Sequence, residues 1–118
     1  MVLRQFDVPS EEEWIDALGL VPEQVGGEEW VRRLEVATDS GHRLELTYDV
    51  PGNSIYCRWR HDDLALLVIT REGARRLLVY SGRGEAHLLI EFEAEGLAGS
   101  LSIQVLPEIR IVDKLLFV

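Results

Sequence analysis

The sequence predicts an α+β fold, with one N-terminal helix packed on a large antiparallel meander sheet of about seven to eight strands. Two observations predict it: an apolar spacing of three and four residues near the N-terminus, and a period of two from residue 30 onward. Turn residues interrupt the second region at short intervals, and connections this short force neighbouring strands to be antiparallel. The pattern leaves two architectures open, a sheet curved over the helix and a sheet closed into a barrel.

The length of 118 residues predicts a single domain over residues 1–118. Within it we expect a helical segment over about residues 10–27 and a β-meander over about residues 30–118. A hydrophobic content of 47% is enough to form a core, and a single cysteine excludes an internal disulfide and any multi-cysteine zinc site. A chain without an internal disulfide suits a reducing compartment, so the cytoplasm is the expected location.

Residues Pro9–Gly19, PSEEEWIDALG, carry the signals of a short helix. Ser10 suits the N-cap position and Glu13 stands three residues later, which together make a capping box. Three consecutive glutamates favour the positive end of the helix dipole, and Gly19 is a natural stop. The apolar face comprises Trp14, Ile15, Ala17 and Leu18. We therefore expect Trp14 to anchor this helix on the body of the protein.

The helix leads into an irregular connector, Leu20–Gly27, and beyond it turn residues divide the chain into strands. The predicted strands are Trp30–Thr38, His42–Val50, Ile55–Arg60, Leu64–Thr70, Arg75–Ser81, Ala86–Glu95 and Ser100–Leu106. Glu108–Val118 holds one or two further short strands, and Val2–Val8 is a candidate for another. Segments 32–49 and 75–93 look alike, which indicates either a duplicated β-unit or the general similarity of amphipathic hairpins.

Acidic side chains are concentrated near the N-terminus. The net charge is −9, and residues 1–30 hold eight acids against one base, Arg4. Nucleic-acid binding needs a basic footprint, so this distribution argues against a nucleic-acid partner and permits a cationic protein partner. An ordinary solvated helix would carry the same acidic side chains. Both interpretations stay open at the level of the sequence.

Alternating carboxylates on two predicted strands extend the acidic character. In IEFEAE (residues 90–95) three glutamates share one face, and in LELTYD (residues 44–49) two acids do. Such rows either pair across strands with arginines or form a patch that receives a cationic protein. The candidate arginines are Arg43, Arg75 and Arg110. The candidate partner-binding residues are Glu11, Glu12, Asp16, Glu45, Asp49, Glu91, Glu93 and Glu95.

The stretch SIYCRWRHDD, residues 54–63, contains the sole cysteine and a histidine. On a regular strand Cys57 and His61 share a face but lie about 13 Å apart, too far for a thiolate–imidazole pair. We therefore expect Cys57 to be a small buried hydrophobic residue, and the final HDD to be a turn and not a metal site. Arg58 and Arg60 point the other way, and we expect them to pair with glutamates of neighbouring strands.

Sequence motifs of common enzyme classes do not occur. We find no hydrolase, phosphate-loop, zinc-protease or kinase motif, and the glycine pair in SGRGE is typical of a hairpin turn. We expect no cofactor and no metal. The N-terminus lacks a signal-peptide pattern, and the longest apolar run, Leu64–Ile69, is far shorter than a membrane span, so we expect no membrane partner. These absences favour a non-catalytic protein.

In its size, acidic charge and lack of catalytic motifs, the sequence resembles bacterial immunity or antitoxin proteins. The resemblance implies a non-catalytic protein-binding domain that neutralises a basic toxin such as a nuclease, with electrostatic attraction speeding association.

The alternative is a small-molecule-binding or enzymatic domain with a pocket inside a curved sheet or barrel. The aromatic side chains expected to line such a pocket are Trp30, Tyr48, Trp59 and Phe92. The candidate polar groups are His42, His61 and His87.

The chain ends in a very apolar segment, Leu115–Val118, LLFV. Chain ends usually fray unless they are held by other elements. This segment is therefore either a buried final strand or a contact in a homodimer.

Overall fold

The computed structural model describes residues 5–118 of the chain. Its elements are α1 (Glu11–Leu18), β1 (Glu23–Val25), β2 (Glu28–Ala37), β3 (His42–Asp49), β4 (Ser54–His61), β5 (Leu64–Glu72), β6 (Ala74–Gly82), β7 (Glu85–Ala94), β8 (Leu97–Leu106) and β9 (Arg110–Phe117). The strands predicted between residues 30 and 106 are all present, with ends near their predicted positions. One strand occupies the C-terminal segment, for which the sequence predicts one or two.

The strands form two antiparallel sheets, in which each strand pairs with the next one along the chain. The first sheet has the order β1-β2-β3-β4-β5, and the second has the order β6-β7-β8-β9. The predicted meander is confirmed, but a closed barrel is wrong, because the chain leaves one sheet for the other between β5 and β6. The described residues form nine strands, more than predicted, since the connector Leu20–Gly27 contains β1, which pairs with β2 across a Gly26-Gly27 turn.

A single residue, Gly73, separates β5 from β6. Its φ of +85° is a conformation that side chains disfavour. An added Cβ would lie 3.1 Å from the carbonyl oxygen of Glu93, and the Glu93 N–H donates to the Gly73 carbonyl at 2.9 Å. The chain therefore bends at this point and approaches β7. The sequence predicts a turn at residues 71–73, but it does not show that β5 and β6 belong to different sheets.

Two further contacts hold the sheets together near the bend. The Asn53 side chain donates to the Ala74 carbonyl at 3.0 Å, and the Ala74 N–H donates to the Asn53 carbonyl at 2.9 Å. Arg71 on β5 donates two hydrogen bonds of 2.7 Å to the Asp113 carboxylate on β9. These bonds from Arg71 hold the pKa of Asp113 below its usual value. The ion pair therefore joins the last strand of each sheet.

Alternate residues of both sheets face one common core. The buried positions are Leu44, Leu46 and Tyr48 on β3, and Ala86, Leu88, Ile90 and Phe92 on β7. The ring of Trp14 on α1 stacks on Tyr48 at a centroid distance of 6.2 Å, while α1 itself lies against β6. The helix therefore contacts both sheets.

The structure of α1 matches the predicted signals except at one position. The Glu13 N–H donates to the Ser10 side chain and the Ser10 N–H donates to the Glu13 carboxylate, so the capping box is confirmed, and Gly19 ends the helix at φ +72°. Trp14 is buried as predicted, but Ile15 is 53% exposed. One residue turns the helix by about 100°, so Ile15 lies beside the apolar face and not on it.

No helix within residues 5–118 is long and apolar enough to cross a membrane.

The two ends of the chain differ from the predicted strands. Residues 2–4 of the candidate strand Val2–Val8 lie outside the described range. Of the remainder, Asp7 forms a parallel bridge with Arg76 at the edge of β6. At the other end, Phe117 pairs with β8 but is 93% exposed, and Leu115 is 62% exposed. The interpretation of the C-terminal segment as a buried strand is therefore wrong, because its side chains extend beyond the core.

Replacing Gly73 with alanine should destabilise the protein, because the new residue must keep a positive φ while its Cβ approaches the Glu93 carbonyl oxygen. The left-handed conformation costs a non-glycine residue about 1–2 kcal/mol, and we expect at least this loss in the free energy of unfolding, measured by urea denaturation. Gly82→Ala is the matched control, since an added Cβ there meets nothing within 4 Å. Equal stability of the two variants would contradict the importance of the bend.

Candidate partner-binding surface

The candidate carboxylates lie on three separate surfaces. They are Glu11, Glu12 and Asp16 on α1, Glu45 and Asp49 on β3, Glu91 and Glu93 on β7, and Glu95 in the turn after β7. The inner faces of the two sheets point to the common core, so outward side chains of β3 and β7 point away from each other. The structure therefore does not bring the eight residues together.

The carboxylates on β7 are paired with arginines of β6. The Arg76 guanidinium donates to Glu91 at 2.8 Å, and the Arg75 guanidinium lies 3.8 Å from the Glu93 carboxylate. The predicted pairing of this row with Arg75 is confirmed. Exposed pairs of this kind contribute little to stability, but they reduce the negative charge that β7 presents to a partner.

The acids on β3 have local neighbours of their own. Asp49 accepts a hydrogen bond of 2.9 Å from the Gly52 N–H, which closes the turn between β3 and β4. Glu45 lies opposite Glu35 on β2 and opposite Arg58 on β4. One of its two cross-strand neighbours is therefore negatively charged and the other is positively charged. These positions make β3 a weak candidate for a concentrated acidic surface.

Neither β4 arginine forms the predicted ion pair with a glutamate among the described residues, and the Nε atoms of Arg58 and Arg60 are buried without a hydrogen-bond partner. Arg58 lies opposite Glu45 in the strand register. Arg60 lies opposite Arg43 on β3 and Ala65 on β5, where the register shifts after Trp59. The prediction is therefore wrong for both arginines, and for Arg60 the register places no carboxylate directly across from it.

The carboxylates on α1 differ from those on β7, while Glu95, in the turn after β7, is likewise exposed and forms no ion pair among the described residues. Within the described part of the chain, Glu11, Glu12 and Asp16 are exposed and form no ion pair. They stand on the short helix that lies against β6 and whose buried Trp14 stacks on Tyr48 of β3. Their charges are therefore fixed in position and open to solvent.

Beside these carboxylates lies a cleft between the start of α1 and the start of β2, with a volume of about 230 Å³, which we call the acidic cleft. Its apolar walls include Trp14, Val21, Trp30, Tyr48 and Val50. Its charged members are Glu11, Glu29 and Arg32. Trp30 is 58% exposed, and its carbonyl accepts a hydrogen bond of 3.2 Å from the Val50 N–H, which ties the start of β2 to the end of β3.

The electrostatics of the acidic cleft are dominated by carboxylates. Arg32 is half-buried and its Nε donates to the Glu29 carbonyl at 3.0 Å, so this guanidinium is held against the backbone. Burial raises the pKa of Tyr48, while the nearby Trp14 side chain and Arg32 act in the opposite direction. The neighbouring exposed acids are Glu12, Glu13 and Glu28. One guanidinium and two carboxylates therefore line the acidic cleft, and further exposed glutamates stand next to them in the chain.

Three residues of this surface are absent from the predicted partner-binding set: Glu28, Glu29 and Trp30, of which Trp30 is predicted only as a wall of a small-molecule pocket. The signal for them lies in the sequence, where two glutamates precede a tryptophan within the acidic first thirty residues. The sequence does not show that Glu29 and Glu11 meet, because this depends on how α1 packs on the sheets.

The side chains predicted to line one pocket are dispersed. Trp30 and Tyr48 line the acidic cleft, whereas the Trp59 indole N–H donates to His42 Nδ1 at 3.0 Å. Phe92 is buried, and the Arg71 guanidinium lies 5.1 Å from its ring centroid. His42 also stacks on His61, so Trp59, His42 and His61 lie together on β3 and β4, whereas His87 stacks on Tyr80 in the second sheet. The predicted walls therefore do not enclose one site.

Cys57 is a core residue. Its side chain is fully buried beside Ile55, as the strand pattern predicts. Burial, with a smaller contribution from Glu45, raises the pKa of the Cys57 thiol to about 12, so the thiol stays protonated at neutral pH. No group of three or more His, Cys, Asp and Glu residues within residues 5–118 is arranged to hold a metal ion.

Comparison with known proteins identifies one structural relative. No protein-family model matches the sequence, and no curated protein matches it significantly. The chain matches one chain of a solved structure described as a contact-dependent growth inhibition toxin–immunity protein complex from Klebsiella pneumoniae 342. The TM-score is 0.81 at 15% sequence identity, and the match covers 98% of this chain and 100% of the other. At this level of identity, the match shows that the two chains share a fold.

Proposed function

We propose that the chain is an immunity-type protein, a non-catalytic acidic domain that neutralises a toxin by binding it. The observation that carries this proposal is the fold shared over 98% of the chain with one component of a toxin–immunity complex. Charge supports the inhibitory role within such a pair. A toxin that acts on nucleic acid needs a basic footprint, whereas this chain has 21 acids against 12 bases.

The proposed contact surface for the toxin is centred on α1 and the acidic cleft. Glu11, Glu12 and Asp16 supply carboxylates that have no ion-pair partner in the described chain, and Trp30 supplies exposed aromatic area. Charges at the rim of an interface mainly raise the association rate, while aromatic anchors near its centre hold the complex. The toxin surface that fits this arrangement is basic. The other predicted carboxylates act through the overall field of the protein.

The cytoplasm is the proposed place of binding. Cys57 is a free thiol, so the described fold does not depend on an oxidising compartment.

The size of the acidic cleft argues against the alternative of a small-molecule site. Its volume of about 230 Å³ lies below the range of about 300–1,000 Å³ that is typical of small-molecule pockets. The aromatic and histidine side chains predicted to form such a pocket are also dispersed over separate parts of the fold. At the acidic cleft the geometry therefore favours a protein partner, whereas a hollow of about 450 Å³ beside His87, Gln104 and Arg110 falls within the small-molecule range.

Co-expression with the proteins encoded by adjacent genes tests the proposed function. We expect one of them to inhibit growth when expressed alone, and to be neutralised by and to co-purify with this chain. Neutralising the helix charges in a Glu11→Gln, Glu12→Gln, Asp16→Asn variant should lower the association rate constant by about tenfold or more at low ionic strength, because the electrostatic attraction is lost. Stopped-flow or biosensor kinetics at several salt concentrations measure this change.

The matched control for that experiment removes the same number of charges elsewhere, at the exposed positions Asp39, Asp63 and Glu108. This variant should keep most of the association rate, because its substitutions lie outside the proposed contact surface. Equal effects of the two variants would show that only net charge matters. The absence of any neutralised partner among the adjacent gene products would contradict the proposed function itself.

We also propose that β9 mediates a homodimer in the absence of the toxin. β9 is an edge strand, and unpaired edges that carry apolar side chains tend to pair with another chain. The exposed apolar residues of this segment are Val112, Leu115, Leu116, Phe117 and Val118. An unpaired edge strand with exposed apolar side chains favours a dimer over a monomer in which β9 stays exposed to water.

A Phe117→Glu substitution should convert such a dimer into a monomer, because it places a charge in the apolar contact. Since Phe117 is 93% exposed, the free energy of unfolding of the monomer should change by no more than about 0.5 kcal/mol. Size-exclusion chromatography with light scattering measures the oligomeric state. Ile15→Glu, at an exposed apolar residue of α1, is the control and should leave the dimer intact. A wild-type chain that is monomeric at high concentration would contradict the proposal.

A further inference from the structure

We propose that the acidic cleft receives one arginine side chain of the toxin as the anchor of the complex. The inference rests on the proposed function and names the chemical group that the cleft takes. Size is the first observation that supports it. A volume of about 230 Å³ is too small for most drug-sized ligands, whose pockets begin at about 300 Å³, and it suits a single inserted side chain.

The walls of the cleft suit the stem and the flat head of arginine. Val21 and Val50 offer aliphatic surface for the methylene groups, and the exposed indole of Trp30 offers a face for the guanidinium. Behind them, Trp14 and Tyr48 are stacked and buried, so the floor of the cleft is rigid. Tryptophan is the best aromatic partner for a cation, and arginine stacks on aromatic faces better than lysine does.

Charge decides between the possible occupants. Glu11 and Glu29 line the cleft, and exposed glutamates flank both of them in the sequence. A carboxylate occupant would be repelled by this group. A neutral aromatic occupant would fill the apolar walls but leave the carboxylates without a partner. Arg32 also lines the cleft, but its Nε is bonded to the Glu29 carbonyl, and a single cation does not balance the surrounding acids.

The chain contains one internal example of the same arrangement. The Arg71 guanidinium lies 5.1 Å from the ring centroid of Phe92 and donates two hydrogen bonds to the Asp113 carboxylate. An aromatic face, a carboxylate and a guanidinium are thus combined within this protein, next to a separate cleft that Arg71, Phe92 and Leu115 line. At the acidic cleft the aromatic face and the carboxylates come from this chain, and the arginine would come from the toxin.

A capped tripeptide with a central arginine, acetyl-Gly-Arg-Gly-amide, tests the cleft without the toxin. The readout is the indole N–H signal of Trp30 in a two-dimensional nitrogen–proton NMR spectrum, assigned with a Trp30→Phe variant. We expect a saturable shift with the arginine peptide, a weaker one with the lysine peptide, and none with the peptide that carries uncharged citrulline. Equal binding of the citrulline or lysine peptide, or no shift with arginine, would overturn the assignment.

The Glu29→Gln substitution extends the test to the carboxylates. It should weaken binding of the arginine peptide, while Glu108→Gln, at another exposed glutamate, should not. Circular dichroism confirms that both variants are folded. Equal affinities of the two variants for the arginine peptide would overturn the role of the cleft charges.

With the toxin itself, Trp30→Ala should raise the dissociation constant roughly 30-fold or more, as expected for an interface hot spot. Val68→Ala, at an exposed apolar residue of β5, is the control and should change it by less than about fivefold. A toxin that binds the Trp30→Ala variant with unchanged affinity would overturn the anchor and leave the proposed function standing. A peptide shift at Trp30 without any toxin that the chain neutralises would support the cleft and contradict the proposed function.

Discussion

The bend at Gly73 determines how the rest of the molecule is arranged. The positive φ and the 3.1 Å approach of a notional Cβ to the Glu93 carbonyl favour glycine at the point where the chain passes from β5 of the first sheet to β6 of the second. The two inner faces then share one core, and α1 lies against β6 while its Trp14 reaches Tyr48 on β3. The acidic cleft forms between this helix and β2. A change in the relative position of the two sheets would therefore move α1 and alter the shape of the cleft.

Local pairing divides the carboxylates into two groups. Glu91 and Glu93 form ion pairs with arginines of the adjacent strand, and Asp49 accepts a hydrogen bond that closes a turn. These acids therefore bind groups within the chain itself. The acids of α1 have no such partner among the described residues, although Glu13 completes the helix cap. Three carboxylates that are open to a partner therefore stand together on α1, close to the cleft that the exposed indole of Trp30 lines.

Local features of the fold could be predicted from the sequence, and contacts between distant segments could not. The strands, the capping box and the inward direction of Cys57 follow from side-chain alternation and from residues that are adjacent in the chain. The division into two sheets depends on a backbone contact between Gly73 and Glu93, which no local pattern records. The cleft likewise depends on the packing of α1, so the sequence predicted the helix carboxylates as binding candidates without their neighbours on β2.

Hydrogen–deuterium exchange on the chain alone and in complex with its toxin locates the contact surface most directly. Binding at the acidic cleft should slow exchange at the backbone amides of α1 and of the segment from β1 to the first half of β2. The amides of β8 and β9 should exchange at the same rate in the complex, apart from any change caused by dissociation of a homodimer. Slower exchange confined to β5 or to the second sheet, with α1 and β2 unaffected, would contradict the proposed surface and place the toxin elsewhere.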